Sequence, residues 1–393
     1  MAADAPRRTA PRQSRQVRGP ATGWPREFAV LAVAVTTLLV LGLVMTFSSS
    51  FVRSAADTGD AFGIFQRQLM AAVVGVPLLV GAALVDYRVW RRLAPWLLLA
   101  SVVLGVIVLL PGVGIMAHGA RRWIDLGPIT FQPTELMKLA VPLFLAHVLA
   151  RRWTNLRAGD VWGLLMPAGP LLLGVALLVM GQPDLETAAL IVVIGGMVLF
   201  AAGLPGRVVV GAAGCAVLLG AVAIASTPFR RQRMLAWVDP TSHPTDLGWQ
   251  TLQGYIALGS GGVFGRGLGQ GRGQWLYVPN AHTDFIFAII GEELGLIGAL
   301  TVLGLFSVVA VVGFRVARLA PDPFGRLVAT AITGWILLQA GMNMGSVVGL
   351  LPVTGVTLPL ISFGGSSLII TLLGLGILLS VARHATVPTG DPR

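Results

Sequence analysis

The sequence predicts an all-α polytopic integral membrane protein that crosses the bilayer about ten times. Of its 393 residues, 55% are hydrophobic and only 11% are charged, and the mean hydropathy is +0.81. Soluble globular domains of this length do not have such a composition. Ten apolar runs alternate with polar segments, and one polar connection, residues 227–284, is much longer than the others. This long connection is where we expect the chemistry.

The ten apolar runs are predicted to be helices. A strand in lipid would leave its backbone without hydrogen bonds, and the strands of a barrel would alternate in polarity. The runs occupy residues 28–47, 69–85, 94–110, 136–150, 162–180, 188–202, 208–226, 285–313, 327–349 and 368–381. They form one membrane domain, residues 28–381, with the long connection between its seventh and eighth helices.

The two ends of the chain differ from this membrane domain. Residues 1–27 contain six arginines with several prolines and glycines, which is typical of a disordered basic arm. Residues 382–393 form a short tail. The first apolar run is longer than the core of a secretory signal and begins late in the chain, so we expect it to remain as a span.

The distribution of basic residues predicts the orientation. With the N terminus in the cytoplasm, the arm, the tail and the cytoplasmic connections hold most of the 28 basic residues. Both termini are therefore predicted to be cytoplasmic, and residues 227–284 extracytoplasmic. The net charge of +11 follows mostly from this topology. Because the arginines form short clusters at span ends, we expect no nucleic-acid partner.

A metal site built from cysteine or histidine is not expected. Cys215 is the single cysteine, which excludes a disulfide within the chain. The five histidines show no pair at helical ligand spacing. Carboxylates could still hold a divalent cation such as Mg²⁺ or Mn²⁺. The sequence therefore assigns no metal site and no cofactor with certainty.

Two outer connections carry arginines that suit an anionic headgroup. The second contains Arg121 and Arg122, and the long one opens with Arg230, Arg231 and Arg233. Guanidinium groups bind phosphate in a bidentate manner. For the first pair, an interfacial anchor formed with the neighbouring tryptophan is an equal alternative. Because positive charge is otherwise sparse on the outer side, the second group favours a phosphate-bearing ligand.

Lys138 and Asp184 are predicted to form a structural ion pair. Lys138 lies in the first turn of the fourth helix, and Asp184 lies in the third outer connection. A charged side chain inside a span costs about 2.5–3.5 kcal/mol, so it needs a partner. Glu135, three residues before Lys138, is the local alternative.

Asp284 ends the long connection and directly precedes the eighth apolar run. One interpretation is an N-cap of the helix. The other is a carboxylate at a partly desolvated mouth, with a pKa suited to base catalysis, and the two are compatible. Deeper in the same run, Glu292 and Glu293 could mark a proton path or bind neighbouring helices.

The outer connections and helix ends contain a series of short motifs in order along the chain. They are Gly-Ala-Arg-Arg-Trp-Ile at 119–124, Gln-Pro-Thr-Glu-Leu-Met-Lys at 132–138, Gln-Pro-Asp-Leu at 182–185, Gly-Ser-Gly-Gly at 259–262, Ala-His-Thr-Asp-Phe-Ile-Phe at 281–287, Gly-Glu-Glu-Leu-Gly at 291–295 and Gly-Gly-Ser-Ser at 364–367. Together they resemble the SEDS family (shape, elongation, division and sporulation) of bacterial cell-wall polymerases. Residues 120–124 and 279–284 resemble the division member most, with the elongation member as runner-up.

This resemblance implies a peptidoglycan glycosyltransferase that polymerises lipid II for septal wall synthesis and releases undecaprenyl pyrophosphate. It places the family's essential carboxylate on Asp284, as general base toward the acceptor's 4-hydroxyl, and the family's ion pair on Lys138 and Asp184. The arginines would steady the departing diphosphate. Further candidate substrate contacts in the same loops are Gln250, Gln253, His282 and Ser366.

The resemblance also implies partners and a location. The partners are lipid II, the nascent glycan, membrane lipids, and a class B penicillin-binding protein transpeptidase with other divisome proteins, at the septum of the bacterial cytoplasmic membrane. Alternative functions are elongation-type polymerisation, lipid II flipping and a non-catalytic division scaffold. Two positions depart from the family pattern: Glu186 replaces a small residue, and Phe363 stands where tyrosine is common.

Overall fold

The computed structural model describes residues 24–117, 120–127, 130–153, 160–242 and 247–385. Nearly all of the predicted basic arm, and the tail beyond residue 385, lie outside these described residues. Within them, the chain is helical apart from one small sheet and the connections.

Ten membrane helices run in alternating directions through the described part of the chain. Nine are long and apolar enough to cross a membrane, and the tenth, α6, is apolar but has only 17 residues. The helices are α1 (Arg26–Thr58), α2 (Gly63–Leu84), α3 (Arg88–Ile107), α4 (Pro133–Arg151), α5 (Val161–Met180), α6 (Leu185–Ala201), α7 (Gly206–Ala225), α10 (Ile286–Leu319), α11 (Pro323–Val347) and α12 (Gly365–Arg383). The predicted helical membrane fold is therefore confirmed, with helix ends displaced by several residues.

Two contacts between α1 and α10 mark two levels of the molecule along the direction of its helices. Arg315 pairs with Glu27 at 3.1 Å, and Ser48 donates a hydrogen bond to Glu293 at 2.7 Å. Ser48 follows Glu27 by 21 residues, or about 31 Å along a helix. This matches the hydrocarbon thickness of a bilayer, about 30 Å. We call the Glu27 side the basic face and the opposite side, which carries residues 226–242 and 247–285, the loop face.

The core of the bundle is formed by α4, α11 and α12, whose residues are mostly buried. By contrast, α7 has no buried residue. It is therefore a peripheral helix, and its apolar side chains face the surroundings of the protein.

The connection before α4 contains a sheet that the sequence did not predict. Strands β1 (Gly114–Ala117), β2 (Ala120–Asp125) and β3 (Thr130–Phe131) pair antiparallel in the order β1-β2-β3. Ile115 lies opposite Trp123, and Ile124 opposite Phe131. The sheet gives the loop face a rigid wall.

The long connection is folded rather than irregular. It contains α8 (Pro228–Val238), a 3₁₀ turn (Pro240–Ser242), α9 (Leu247–Ser260) and one π-helical turn (Gly273–Tyr277). Its glycine-rich part packs on α10 where that helix is kinked at Gly295, which has φ +69°. The backbone N–H of Leu296 donates to Gly262 at 2.9 Å, and that of Gly267 donates to Glu293 at 3.0 Å. The segment thus supplies hydrogen bonds that the kink removes.

Glu292 and Glu293 anchor this segment. Glu292 accepts hydrogen bonds from the backbone N–H groups of Arg272 at 2.8 Å and Gly273 at 2.9 Å, and Glu293 accepts from Ser48. Both carboxylates are buried. These contacts favour the interpretation that they bind neighbouring segments over that of a proton path.

Candidate active site

A cavity of about 530 Å³ lies at the loop face, a volume typical of small-molecule sites. Its walls come from β2 and β3, from the first turns of α4, α6 and α12, and from residues 355–357. Both signs of charge line it. The charged lining residues are Arg67, Arg122, Asp125, Glu135, Lys138, Asp184 and Glu186.

Asp284 lies beside this cavity. Its neighbour Thr283 lines the cavity and donates a hydrogen bond to the Asp284 carboxylate at 3.0 Å. Asp284 is 8% exposed, and its backbone carbonyl accepts a hydrogen bond from Asn343 at 2.8 Å. The N-cap position of α10 is Phe285 and no side chain caps the helix there, so the N-cap interpretation of Asp284 is wrong.

The length of α11 gives the distance of Asp284 from the basic face. Asp322 caps α11 at the basic face by accepting a hydrogen bond from the Gly325 N–H at 2.9 Å. Asn343, which holds Asp284, follows Asp322 by 21 residues, or about 31 Å along the helix. Asp284 therefore lies about 31 Å from the basic face, a distance close to the thickness of the hydrocarbon core of a bilayer.

Burial raises the pKa of the Asp284 carboxyl to about 6, from an ordinary 3.8. The hydrogen bond from Thr283, the charge of Arg233 and a polar contact with Gln250 act in the opposite direction and lower it. A carboxylate with this pKa is mostly ionised at neutral pH yet basic enough to take a proton from a substrate.

The predicted pair between Lys138 and Asp184 does not form. Lys138 instead contacts Glu135 at 2.7 Å and donates to Gln339 at 3.1 Å. Asp184 caps α6 by accepting from the Thr187 N–H at 3.1 Å. Glu135 is one turn from Lys138 on the same helix, so it reaches the ammonium group while Asp184 is held by its own helix. Both side chains nonetheless line the cavity.

Only one arginine of the first predicted pair faces the cavity. Arg122 lines it and lies 3.9 Å from the Asp184 carboxylate. Its guanidinium also donates to the backbone carbonyls of Gln182, at 3.0 Å, and Pro183. Arg121 is the preceding residue of β2 and is not among the lining residues.

The three arginines of α8 are separated in the structure. Arg233 pairs with Glu186, a cavity residue, at 2.6 Å. Arg230 donates to the Ala223 carbonyl of α7 at 3.2 Å, and Arg231 is exposed. None of the three lines the cavity itself, and Arg233 is the one bound to its wall.

None of the predicted substrate contacts of the long connection lines the cavity. Gln250 is buried and lies close to the Asp284 carboxyl. Gln253 is half-buried in α9. The ring of His282 lies 5.7 Å from that of Phe363, and burial lowers the pKa of His282 to about 4. His282 is therefore neutral at physiological pH.

The predicted contact at the start of α12 is displaced by one residue. Ser366 is buried, and its hydroxyl accepts a hydrogen bond from the Gln132 N–H at 3.3 Å. Its neighbour Ser367 lines the cavity. Ser366 thus joins α12 to the start of α4, and Ser367 is the serine placed to meet a ligand.

Sequence reasoning missed three polar residues of this site. Arg67 lines the cavity from α2, Gln339 holds Lys138, and Asn343 holds Asp284. The two amides lie four residues apart in a membrane helix, and polar side chains at that spacing within an apolar run were an available signal. Among the described residues, no group of three or more His, Cys, Asp or Glu side chains is placed to hold a metal ion.

Comparisons with known proteins agree with this architecture. Residues 29–387 match the FtsW/RodA/SpoVE family, described as cell cycle proteins. The chain is 43% identical over 367 residues to the probable peptidoglycan glycosyltransferase FtsW of Mycobacterium tuberculosis, covering 92% of this chain and 69% of that one. It is 40% identical over 361 residues to the stage V sporulation protein E of Bacillus subtilis, covering 91% and 97%.

Solved structures show the same fold. A structure concerned with polymerization and crosslinking by a peptidoglycan synthase complex contains a chain with a TM-score of 0.74 and 34% identity, covering 90% of this chain and 96% of that one. The rod shape determining protein RodA of Thermus thermophilus has a TM-score of 0.65 and 32% identity, covering 92% and 97%. From this match along nearly its whole length, the chain belongs to the FtsW/RodA/SpoVE family, which is the SEDS family that its motifs resemble.

Proposed function

We propose that this protein is a peptidoglycan glycosyltransferase that polymerises lipid II into glycan strands. The observation that carries the proposal is Asp284, a buried carboxylate with a pKa near 6, beside a charged cavity at the loop face. The relative from Mycobacterium tuberculosis is named a probable peptidoglycan glycosyltransferase, which supports the same activity here.

In the proposed reaction, Asp284 accepts the proton of the 4-hydroxyl on the acceptor's terminal N-acetylglucosamine. That oxygen forms a bond to C1 of the donor's N-acetylmuramic acid as the bond from C1 to the diphosphate breaks. The electron pair leaves with undecaprenyl pyrophosphate, and the anomeric centre is inverted. One base suffices, because a diphosphate leaves without a strong proton donor, unlike the alkoxide of glycoside hydrolysis.

The leaving diphosphate needs positive charge where it departs. Arg122 lines the cavity, and Arg233 is bound to its wall through Glu186. Lys138 adds a third cation, although Glu135 neutralises much of its charge. A divalent cation such as Mg²⁺ or Mn²⁺ would share this work if the substrate's own phosphates supplied some of its ligands.

Membrane placement follows from the chemistry. Lipid-linked donors lie in the bilayer with their sugars in the aqueous phase, and the distance of Asp284 from the basic face supports a position of this residue at that boundary. We propose that the loop face is extracytoplasmic, with both termini in the cytoplasm, in the cytoplasmic membrane at the division septum. A class B penicillin-binding protein transpeptidase is the proposed partner, since a related chain was solved in a peptidoglycan synthase complex.

The test is polymerisation of purified lipid II by the full chain and by Asp284→Asn. The amide keeps the shape but cannot take the proton, so the rate is expected to fall about 100-fold or more. The thermal midpoint should not fall, because the change removes a buried charge. A matched control is Asp57→Asn, which breaks an exposed pair with Arg53 at 2.6 Å on the same face.

Three outcomes separate the alternatives. Glycan synthesis by Asp284→Asn at the native rate would refute the base. Transbilayer movement of lipid II without chain lengthening would identify a flippase. If the purified chain does neither, alone or with its transpeptidase partner, a scaffold role remains. Depletion in cells distinguishes the two polymerase roles, because loss of a division enzyme gives filaments and loss of an elongation enzyme gives round cells.

A further inference from the structure

The ion pair between Glu186 and Arg233 joins two parts of the molecule that otherwise have little contact. Glu186 is the second residue of α6 and lines the cavity. Arg233 lies in α8, which follows the peripheral helix α7. Their side chains meet at 2.6 Å, and each is 27% exposed. A carboxylate of the cavity wall therefore fixes the position of an arginine that belongs to the long connection.

Arg233 contacts the cavity wall and also lies near the candidate base. Its positive charge is felt by the Asp284 carboxyl, while its guanidinium reaches the wall at Glu186. A guanidinium has five N–H donors and can bind more than one oxygen at a time. The adjacent helix turn is fixed too, because the Trp237 indole N–H donates to the Gly349 carbonyl at 2.9 Å.

We propose that Glu186 is a positioning residue that holds Arg233 in place to bind the diphosphate of the lipid-linked donor. This inference rests on the proposed function and names a determinant of donor affinity within it.

Two effects of the carboxylate on the diphosphate oppose each other. Glu186 repels an anion, but that repulsion is weakened by Arg233 and by the water around a partly exposed pair. Glu186 also holds the Arg233 side chain in one conformation before the ligand binds. The entropy cost of ordering this side chain on binding is therefore smaller. We expect the ordering effect to dominate, because the guanidinium is already neutralising the carboxylate at 2.6 Å.

The experiment measures lipid II polymerisation by the full chain, with KM and kcat determined separately. Glu186→Gln is expected to raise KM about fivefold, with kcat changed less than about twofold, because ordering one arginine side chain acts on donor binding. Glu186→Asp keeps the charge but retracts it from Arg233, so KM should rise here as well. Because Glu186→Asp keeps the negative charge, a higher KM in this variant shows that the position of the carboxylate matters as well as its charge.

A double-variant cycle tests whether Glu186 acts through Arg233. Arg233→Gln should raise KM at least as much as Glu186→Gln, and adding Glu186→Gln to Arg233→Gln should change nothing further. Inorganic pyrophosphate serves as a probe of the anion site. Its inhibition constant should rise by the same factor as KM in Glu186→Gln.

The matched control is Glu27→Gln, which removes the carboxylate of another pair with arginine, at 3.1 Å on the basic face. KM should stay native in this variant. An unchanged or lower KM in Glu186→Gln, additive effects in the cycle, or unaltered pyrophosphate inhibition overturns the inference. If the native chain makes no glycan, the proposed function fails instead, and pyrophosphate binding measured by calorimetry still decides whether Glu186 supports an anion site.

Discussion

Asn343 donates hydrogen bonds from its side-chain amide to the backbone carbonyls of Asp284 and Val356, both at 2.8 Å. The amide is fully buried in α11. One side chain of a core helix thus joins the end of the long connection to the connection before α12. The candidate base is thereby attached to the rigid part of the bundle.

Asn343→Ala should destabilise the protein by about 2 kcal/mol or more, because two buried carbonyls lose their donor. Polymerisation should fall as well, since the backbone at Asp284 is no longer held. Thermal unfolding in detergent measures the first effect and the lipid II assay the second. Ser346→Ala, which removes one bond to the Asn343 carbonyl at 2.8 Å, should cost less. Native stability in Asn343→Ala would contradict the structural role.

The polymerisation rate should depend on pH through Asp284. Its pKa is raised to about 6, and only the ionised carboxylate accepts a proton. The value of kcat/KM should therefore fall about tenfold per pH unit below pH 6 and level off above it. A profile that is flat between pH 5 and 7 would contradict the assignment.

The expected inflection near pH 6 does not come from His282. Burial lowers the pKa of His282 to about 4, so this ring stays neutral throughout that range. His282→Asn should keep the inflection near pH 6, whatever its effect on the rate. Loss of the inflection in His282→Asn would assign it to the imidazole instead.

Lys138→Met should lower stability by about 3–5 kcal/mol, because it leaves the buried Glu135 without its cation. Adding Glu135→Gln should restore most of the loss, whereas adding Asp184→Asn should not. Thermal midpoints of the three proteins measure this difference. Rescue by Asp184→Asn would instead support the pair predicted from the sequence.

Gly265→Ala should destabilise the contact between the long connection and α10. Gly265 has φ +78°, and a Cβ there would meet the backbone of Glu293 and Gly295. Gly259→Ala is the matched control, since a Cβ there meets nothing. Limited proteolysis should cut the Gly265→Ala chain faster between residues 260 and 284. Equal cleavage of both variants would show that the segment is not held at the kink.

The membrane fold could be predicted from the sequence because hydrocarbon leaves few options for the backbone. Apolar runs in lipid must be helices, and their alternation fixes which connections share a face. The sheet of residues 114–131 escaped detection because its strands are short and lack a clear alternation of polarity. The folded state of the long connection was missed because its glycines are typical of loops, while their actual role is close packing on α10.

Residues of the site could be predicted from the sequence, but the contacts between its charged residues could not. Asp284 and Lys138 stand out as charges at the ends of apolar runs, and Arg122 stands out as part of an arginine pair in an outer connection. Which acid Lys138 contacts depends on side-chain reach, and the nearer Glu135 prevails over Asp184. Arg121 and Arg230 carry the same charge as Arg122 and Arg233, and only the folded structure shows that Arg122 lines the cavity and Arg233 contacts its wall.

The spacing of about 31 Å between the Glu27 and Glu293 levels is close to the thickness of the hydrocarbon core. The protein is therefore matched to lipids whose acyl chains form a core of that thickness. A mismatch between this spacing and the hydrocarbon thickness has to be absorbed by tilting of the helices or by local thickening or thinning of the bilayer. Longer acyl chains would place Asp284 closer to the hydrocarbon core, where its carboxyl is harder to ionise. Shorter acyl chains would leave the carboxylate in water, where it is a weaker base. If Asp284 is the base, we expect the rate of polymerisation to depend on acyl-chain length without any change in sequence.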